Sequence, residues 1–229
     1  MKKLITIVVA AELFVALAQQ ASAGSVSVSP SASMPATINL TAEGTLDWAH
    51  WGLSGSSGQS ETWAFNHKDG ADLISDLTII EIDGKAEVRA YSDMGSSLSW
   101  SDGTPTALEA GTHYYLNTDW RDADVGDGFS FTVPAVAANR TLRVYVGSYL
   151  AQGTLTATLS GGSSDSGNWV NATEGNLFGY FEVNFSGAGE TLTVTWELKS
   201  GGEPNNIKLA GATLSGEAAA ARGTMICVH

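Results

Sequence analysis

Cysteine is almost missing from this chain: the single one is Cys227, at the C-terminal end. No disulfide can form within the chain, so stability has to come from a packed core. Lys and Arg are scarce as well, 11 against 24 Asp and Glu, for a formal net charge of −13. A chain this acidic repels phosphate backbones, which argues against nucleic-acid binding, and it disfavours docking on anionic lipid. Proline is scarce, with 5 residues, and no Pro/Gly-rich linker divides the chain. One domain is therefore expected. Helical periodicity is absent between residues 24 and 215, where the only helix-like stretch is 71–76.

Signatures of catalysis are missing too. There is no Gly-x-Ser-x-Gly elbow for a serine nucleophile. No phosphate-binding glycine loop occurs. His50, His67, His113 and His229 form no i,i+4 pair and no zinc-protease motif. Carboxylates are plentiful, but hydrolysis by a pair of them needs an acid and a base facing each other across a sugar. A carboxylate-dependent hydrolase stays an alternative on that ground alone.

The N-terminus is the first positive signal. Met1-Lys2-Lys3 is a short basic segment, an apolar run follows from Leu4 to Ala18, and Ala21-Ser22-Ala23 fits a small-x-small cleavage site. That order describes a secretory signal over residues 1–23. The run is shorter than a membrane span and is interrupted by Glu12. Removing 1–23 leaves 206 residues; Lys+Arg falls from 11 to 9 and Asp+Glu from 24 to 23, for a charge of −14. The expected location is outside the cytoplasm, extracellular or periplasmic. No later stretch is apolar enough to insert in a membrane.

Short runs of alternating apolar residues, separated by Gly- and Ser-rich turns, fill the mature chain. Leu142, Val144 and Val146 share one strand face, as do Leu155, Ala157 and Leu159, then Phe181, Val183 and Phe185, then Leu192, Val194 and Trp196. Ile207 and Leu209 mark a last strand. Weaker strands are expected near 25–28, 36–41, 45–51, 76–82, 86–91, 97–100, 113–117 and 129–133. About a dozen strands predict an all-β fold: an antiparallel two-sheet β-sandwich, jelly-roll-like, over 24–215. From residue 216 to 229 the alternation stops, and a disordered tail is expected.

Two features suggest a site. Seven tryptophans stand at 48, 51, 63, 100, 120, 169 and 196. Indole rings stack on sugar faces, and they also fill cores. In 47–51 the faces divide, with Trp48 and His50 on one and Asp47, Ala49 and Trp51 on the other, so at least one Trp is expected inside. Trp100 and Trp120 adjoin turns, where exposure is easier. Trp51, Trp100 and Trp120, with Asp102 and His50 as polar neighbours, form the candidate ligand-binding set. The second feature is the acidic loop 119–128. Asp122, Asp124 and Asp127 are candidate ligands for calcium, which takes several oxygens from one short loop. Their spacing departs from the helix-loop-helix calcium pattern, and a solvated acidic turn competes with it.

Asp47-Trp48-Ala49-His50-Trp51-Gly52 resembles the signature of a secreted bacterial β-sandwich module. Three later segments are similar to that module: 100–105, 128–134 and 140–147. Residues 192–196 and 206–214 resemble it too. Modules of this kind occur beside glycoside-hydrolase domains and in extracellular proteins. The resemblance implies an accessory, carbohydrate-binding-like role with a polysaccharide or glycan as partner; it carries no ligand residues. The competing class is a structural protein of an extracellular matrix or surface assembly.

Overall fold

The computed structural model describes residues 23–53, 59–60, 64–82, 88–119 and 123–217, without the side chains of 59, 60, 64 and 201–203. Residues 1–22 of the expected signal 1–23 and residues 218–229 of the expected tail 216–229, Cys227 among them, lie outside the described residues. In chain order the elements are β1 (Ser25–Ser31), β2 (Thr37–Asn39), a four-residue helix α1 (Leu40–Glu43), β3 (Asp47–Leu53), β4 (Gln59–Ser60) and β5 (Ala64–Lys68). Next come β6 (Thr78–Ile80), β7 (Val88–Tyr91), β8 (Ser97–Trp100), β9 (Gly103–Thr104), β10 (Glu109–Thr112) and β11 (Tyr115–Thr118). The chain continues through β12 (Gly128–Pro134), β13 (Arg140–Leu159), β14 (Ser164–Val170), β15 (Leu177–Ser186) and β16 (Thr191–Gly216).

The expected all-β antiparallel sandwich is what forms. Its frame is the pairing of β13 with β16, which runs from Arg140↔Gly216 to Leu159↔Leu192. Each of these strands spans what the alternation pattern divides into two. The pairing slips between Tyr149 and Ala151 and again between Gln152 and Gly153, and such bulges bend and twist a ribbon. Leu150, between them, has φ 47°, a left-handed conformation that a branched side chain rarely takes. Beyond the bend, β14, β13, β16, β12 and β6 make one sheet. Before it, β1, β15, β13 and β16 continue to β3 and β11 in the other.

The two sheets close on one core. Leu155, Ala157, Leu159, Leu192, Val194 and Trp196 from the first meet Leu142, Val144, Phe181, Val183, Phe185 and Leu214 from the second. Each fully buried side chain of this size contributes about 1.5–3 kcal/mol. Trp196 pins the bend: its indole N–H donates to the Lys208 carbonyl, 3.0 Å away and twelve residues on in the same strand. Gly153 is required there, because a Cβ would lie 2.1 Å from the Trp196 ring.

A third layer departs from the two-sheet expectation. Strands β10, β8 and β2 form a separate sheet, with β2 parallel to β8. It covers the outer face of the second sheet through Ile38, Leu40, Trp48, Leu98, Trp100, Tyr115, Tyr145 and Ala210. Strand β3 is consequently buried on both faces from Asp47 to Gly52. The stretch 71–76 is a loop, not a helix. The buried Asp47 carboxylate holds it by accepting from the Leu73 and Ile74 amides at 2.7 and 2.8 Å, as well as from the Trp48 amide.

Candidate functional site

The tryptophan-based set is interior. Trp51 is fully buried in the sandwich core, 5.3 Å from the Phe131 ring. Trp100 is 2 % exposed despite its place beside a turn. Its ring lies under Gly103, 5.2 Å from Trp48, and its N–H donates to the Thr106 carbonyl. All five described tryptophans, at 48, 51, 100, 169 and 196, are buried. Trp51 and Trp100 are thus packed inside, where the expectation had them face a ligand, and they border neither described cavity, whereas Trp169 borders a cleft with Pro30, Asn168 and Leu177. Trp120 and Trp63 lie outside the described residues.

His50 is fully buried between Tyr114 and Trp100, its Nε2 donating to the Tyr114 carbonyl at 3.1 Å. Burial pushes the imidazole down to about 4, against the raising effect of that bond. Asp102 accepts from the Trp48 indole at 2.9 Å, from Lys68 Nζ at 2.7 Å and from the Thr41 hydroxyl. Burial alone would raise its carboxyl, but the bonds from Lys68, Thr41 and Trp48 outweigh it and hold the group below the usual carboxylate range. Both residues tie the third layer to β3 and β5; His50 is fully enclosed, and Asp102, with 32% of its side chain exposed, has both oxygens already bonded.

The aspartates of the acidic loop differ in setting. Asp127 is fully buried, and its two oxygens accept from the Ile82 amide at 2.9 Å and the Asp124 amide at 2.7 Å. It caps the turn rather than being solvated or facing an ion. Asp124 is exposed, and Asp122 lies outside the described residues. No group of three or more His, Cys, Asp or Glu side chains among the described residues could hold a metal ion.

A different set of residues surrounds an open cavity of about 290 Å³. It lies on the outer face of the second sheet, lined by Tyr91, Asp93, Tyr115, Asn117, Tyr149, Asn176, Pro204, Asn206 and Lys208. Register assembles it: Tyr115 pairs with Tyr91, Asn117 with Lys208, and Tyr149 with Asn206. Side chains opposite each other across antiparallel strands project to the same face, with Cβ atoms about 4.5–5.5 Å apart. The strained corner at Leu150 follows Tyr149 directly.

The polar groups here differ from those around Trp48. Asp93, exposed at the rim, accepts from the Tyr115 hydroxyl at 2.5 Å and from the Asn176 amide at 3.0 Å. Burial, and then that bond to Asp93, push the Tyr115 hydroxyl well above its ordinary pKa. Lys208 is 1 % exposed. Its Nζ donates to Asn206 Oδ1 and lies 5.6 and 5.9 Å from the Tyr115 and Tyr149 ring centres. Burial pulls its ammonium down to about 7, against the raising effect of Asp93. Asn117 Oδ1 is buried with no hydrogen-bond partner among the described residues. Tyr91 and Tyr149 are half-buried. Sequence reasoning missed every one of these residues. The available signal was Lys208, the one charge between residues 204 and 216, inside a run of strand character.

No protein-family model matches the chain, and no curated protein does. Among solved structures, it is similar to TmCBM61 in complex with β-1,4-galactotriose, at 16% identity and TM-score 0.34, covering 62% of this chain and 88% of that one. It is also similar to the carbohydrate-binding module CBM36 in complex with calcium and xylotriose, at 10% identity and TM-score 0.33, covering 62% and 100%. A third is the enzymatically active domain of bacteriophage CBA120 tailspike protein 4, at 13% identity and TM-score 0.32, covering 63% and 20%. At these scores the likeness carries nothing about a ligand or a site.

Proposed function

We propose that the protein is an exported, non-catalytic carbohydrate-binding module that holds a sugar in the Tyr91–Tyr149–Lys208 cavity. The observation that carries this reading is the cavity's lining. Two half-buried tyrosine rings offer faces for the C–H side of a pyranose. Amides and an ammonium stand beside them to meet hydroxyl groups. The volume lies at the small end of ligand pockets, about 300–1,000 Å³, and suits one ring or a short stretch of glycan. Hydrolysis by two carboxylates fits poorly, because the cavity lining holds one, Asp93, and both its oxygens already accept hydrogen bonds.

Calorimetric titration with a panel of neutral and acidic oligosaccharides tests the proposal. Binding of at least one is expected, weakened about tenfold or more by Tyr149→Ala, a loss of about 1.4 kcal/mol. A blank panel would sink it. Burial of all five described tryptophans favours a second reading, a surface-assembly subunit. Sedimentation at micromolar concentration separates the two, since an assembly subunit self-associates without sugar.

A further inference from the structure

Building on the glycan-binding reading, we infer that the cavity selects an acidic saccharide, whose carboxylate pairs with the Lys208 ammonium while a neighbouring hydroxyl donates to Asn117 Oδ1. Two open valences carry this. The Lys208 ammonium has three protons to donate, and Asn206 Oδ1 is its one acceptor among the described residues. No carboxylate among them lies within ion-pair distance of it. A buried cation without a counter-ion is costly, and a paired one much less so. The second open valence is the buried Asn117 Oδ1, which lacks a donor. Asn117 and Lys208 stand opposite each other on adjacent strands and project to the same face. A missing acceptor and a missing donor therefore lie side by side. A uronic acid at a non-reducing end offers the complement, a carboxylate and a free hydroxyl on the ring carbon next to the one that bears it. A simple carboxylate such as acetate meets only Lys208. A neutral sugar meets Asn117 but leaves the buried charge uncompensated.

The neighbouring groups set the conditions. Asp93 faces Lys208 from the loop after β7, and the rings of Tyr115 on β11 and Tyr149 on β13 flank it. Tyr91 on β7 stacks on Tyr115 at 6.3 Å, and Arg89 on β7 pairs with Asp119 at 2.7 Å. Asp93 opposes any anion at the rim, as does the chain's net charge of −13. The attraction is therefore short-ranged and depends on the one ammonium. Because burial brings that ammonium down to about 7, the site should lose its preference just above neutrality.

The experiment is calorimetry on the full mature chain with galacturonate, glucuronate, mannuronate and guluronate trisaccharides. Each is compared with its neutral counterpart, and acetate serves as a control. At least one uronate should bind about tenfold or more tighter than its neutral partner at pH 6.5, and the advantage should fall about tenfold by pH 8.5. Lys208→Met, checked for fold by circular dichroism, should erase the preference. If neutral trisaccharides bind equally well or better, the inference fails and the glycan-binding reading stands. A uronate preference that does not change between the two pH values, or acetate binding as tightly as the uronate, also overturns it. If no saccharide of either kind binds, both readings fall.

Discussion

Along β3, whose outer face carries Trp48 against Trp100 and whose inner face carries Asp47, the carboxylates are saturated. Asp47 takes three backbone amides, and Asp102 takes an indole, an ammonium and a hydroxyl. Around Tyr115, on the outer face of the same sheet, a buried ammonium has one acceptor and a buried amide oxygen has no donor among the described residues. Both regions are rich in aromatic rings, so aromatic content does not distinguish scaffold from site. Open hydrogen-bonding capacity on a cavity lining does: His50 Nδ1, Trp51 Nε1 and Asn66 Nδ2 are also unpartnered among the described residues, but they border neither described cavity, whereas Asn117 and Lys208 line one. The first region should respond to mutation through stability, and the second through binding and pH.

The largest contrast is expected at Lys208. In the unfolded chain its ammonium titrates near 10.5, and in the folded one near 7. Between those values the unfolded state binds more protons, so stability should rise as pH goes from 7 toward 10.5. The full gain is at most about 5 kcal/mol, from 1.36 kcal/mol per pKa unit. Urea unfolding of the wild type and of Lys208→Met across this range reads it directly. The difference between the two curves should narrow as pH rises, with the variant the more stable at pH 7. Parallel curves would mean that the ammonium has a counter-charge in the folded state, and the contrast between the regions would vanish.

Asp47→Ala should act in the opposite sense, with a loss of about 4 kcal/mol at neutral pH. It strips an acceptor from three amides and frees loop 71–76 from β3. Saccharide affinity of the fraction still folded should be unchanged. A loss of affinity without a loss of stability would move the signature strand from scaffold to site.

Much of this division was not legible in the sequence. Period-two alternation located the core strands from Leu142 to Leu214, because one face of each is buried in the sandwich and the other carries Thr, Glu and Asn. It failed where the third layer buries the second face as well. In Asp47–Leu53 both faces are covered, so alternation could not separate an inner tryptophan from an outer one. Strand β14, Ser-Asp-Ser-Gly-Asn-Trp-Val, was missed because its residues are mostly polar and exposed at a sheet edge. The cavity was missed for a different reason. Tyr91, Asn117, Tyr149 and Lys208 come from four strands and meet only through register, which no local motif records.

His50 offers the finest test of the comparison, because it belongs to the saturated region yet has one open atom. Its Nε2 donates to Tyr114, while Nδ1 is buried with no partner among the described residues. A neutral ring with a free Nδ1 lone pair suits burial far better than an imidazolium. That is why its pKa sits near 4 instead of 6.5. The unfolded state therefore binds more protons between pH 4 and 6.5. Stability from this residue is complete above 6.5 and drains away as pH falls toward 4, by about 3 kcal/mol. His50→Phe should flatten that part of the stability curve, at the cost of leaving the Tyr114 carbonyl unpaired. Nδ1 would then be a packing cost that the scaffold tolerates, unlike the open groups around Lys208, because His50 borders neither described cavity. Should the wild type show no loss between pH 6.5 and 4, His50 is protonated in the fold. An anionic partner would then have to reach it, and the signature strand would regain a claim to be part of a site.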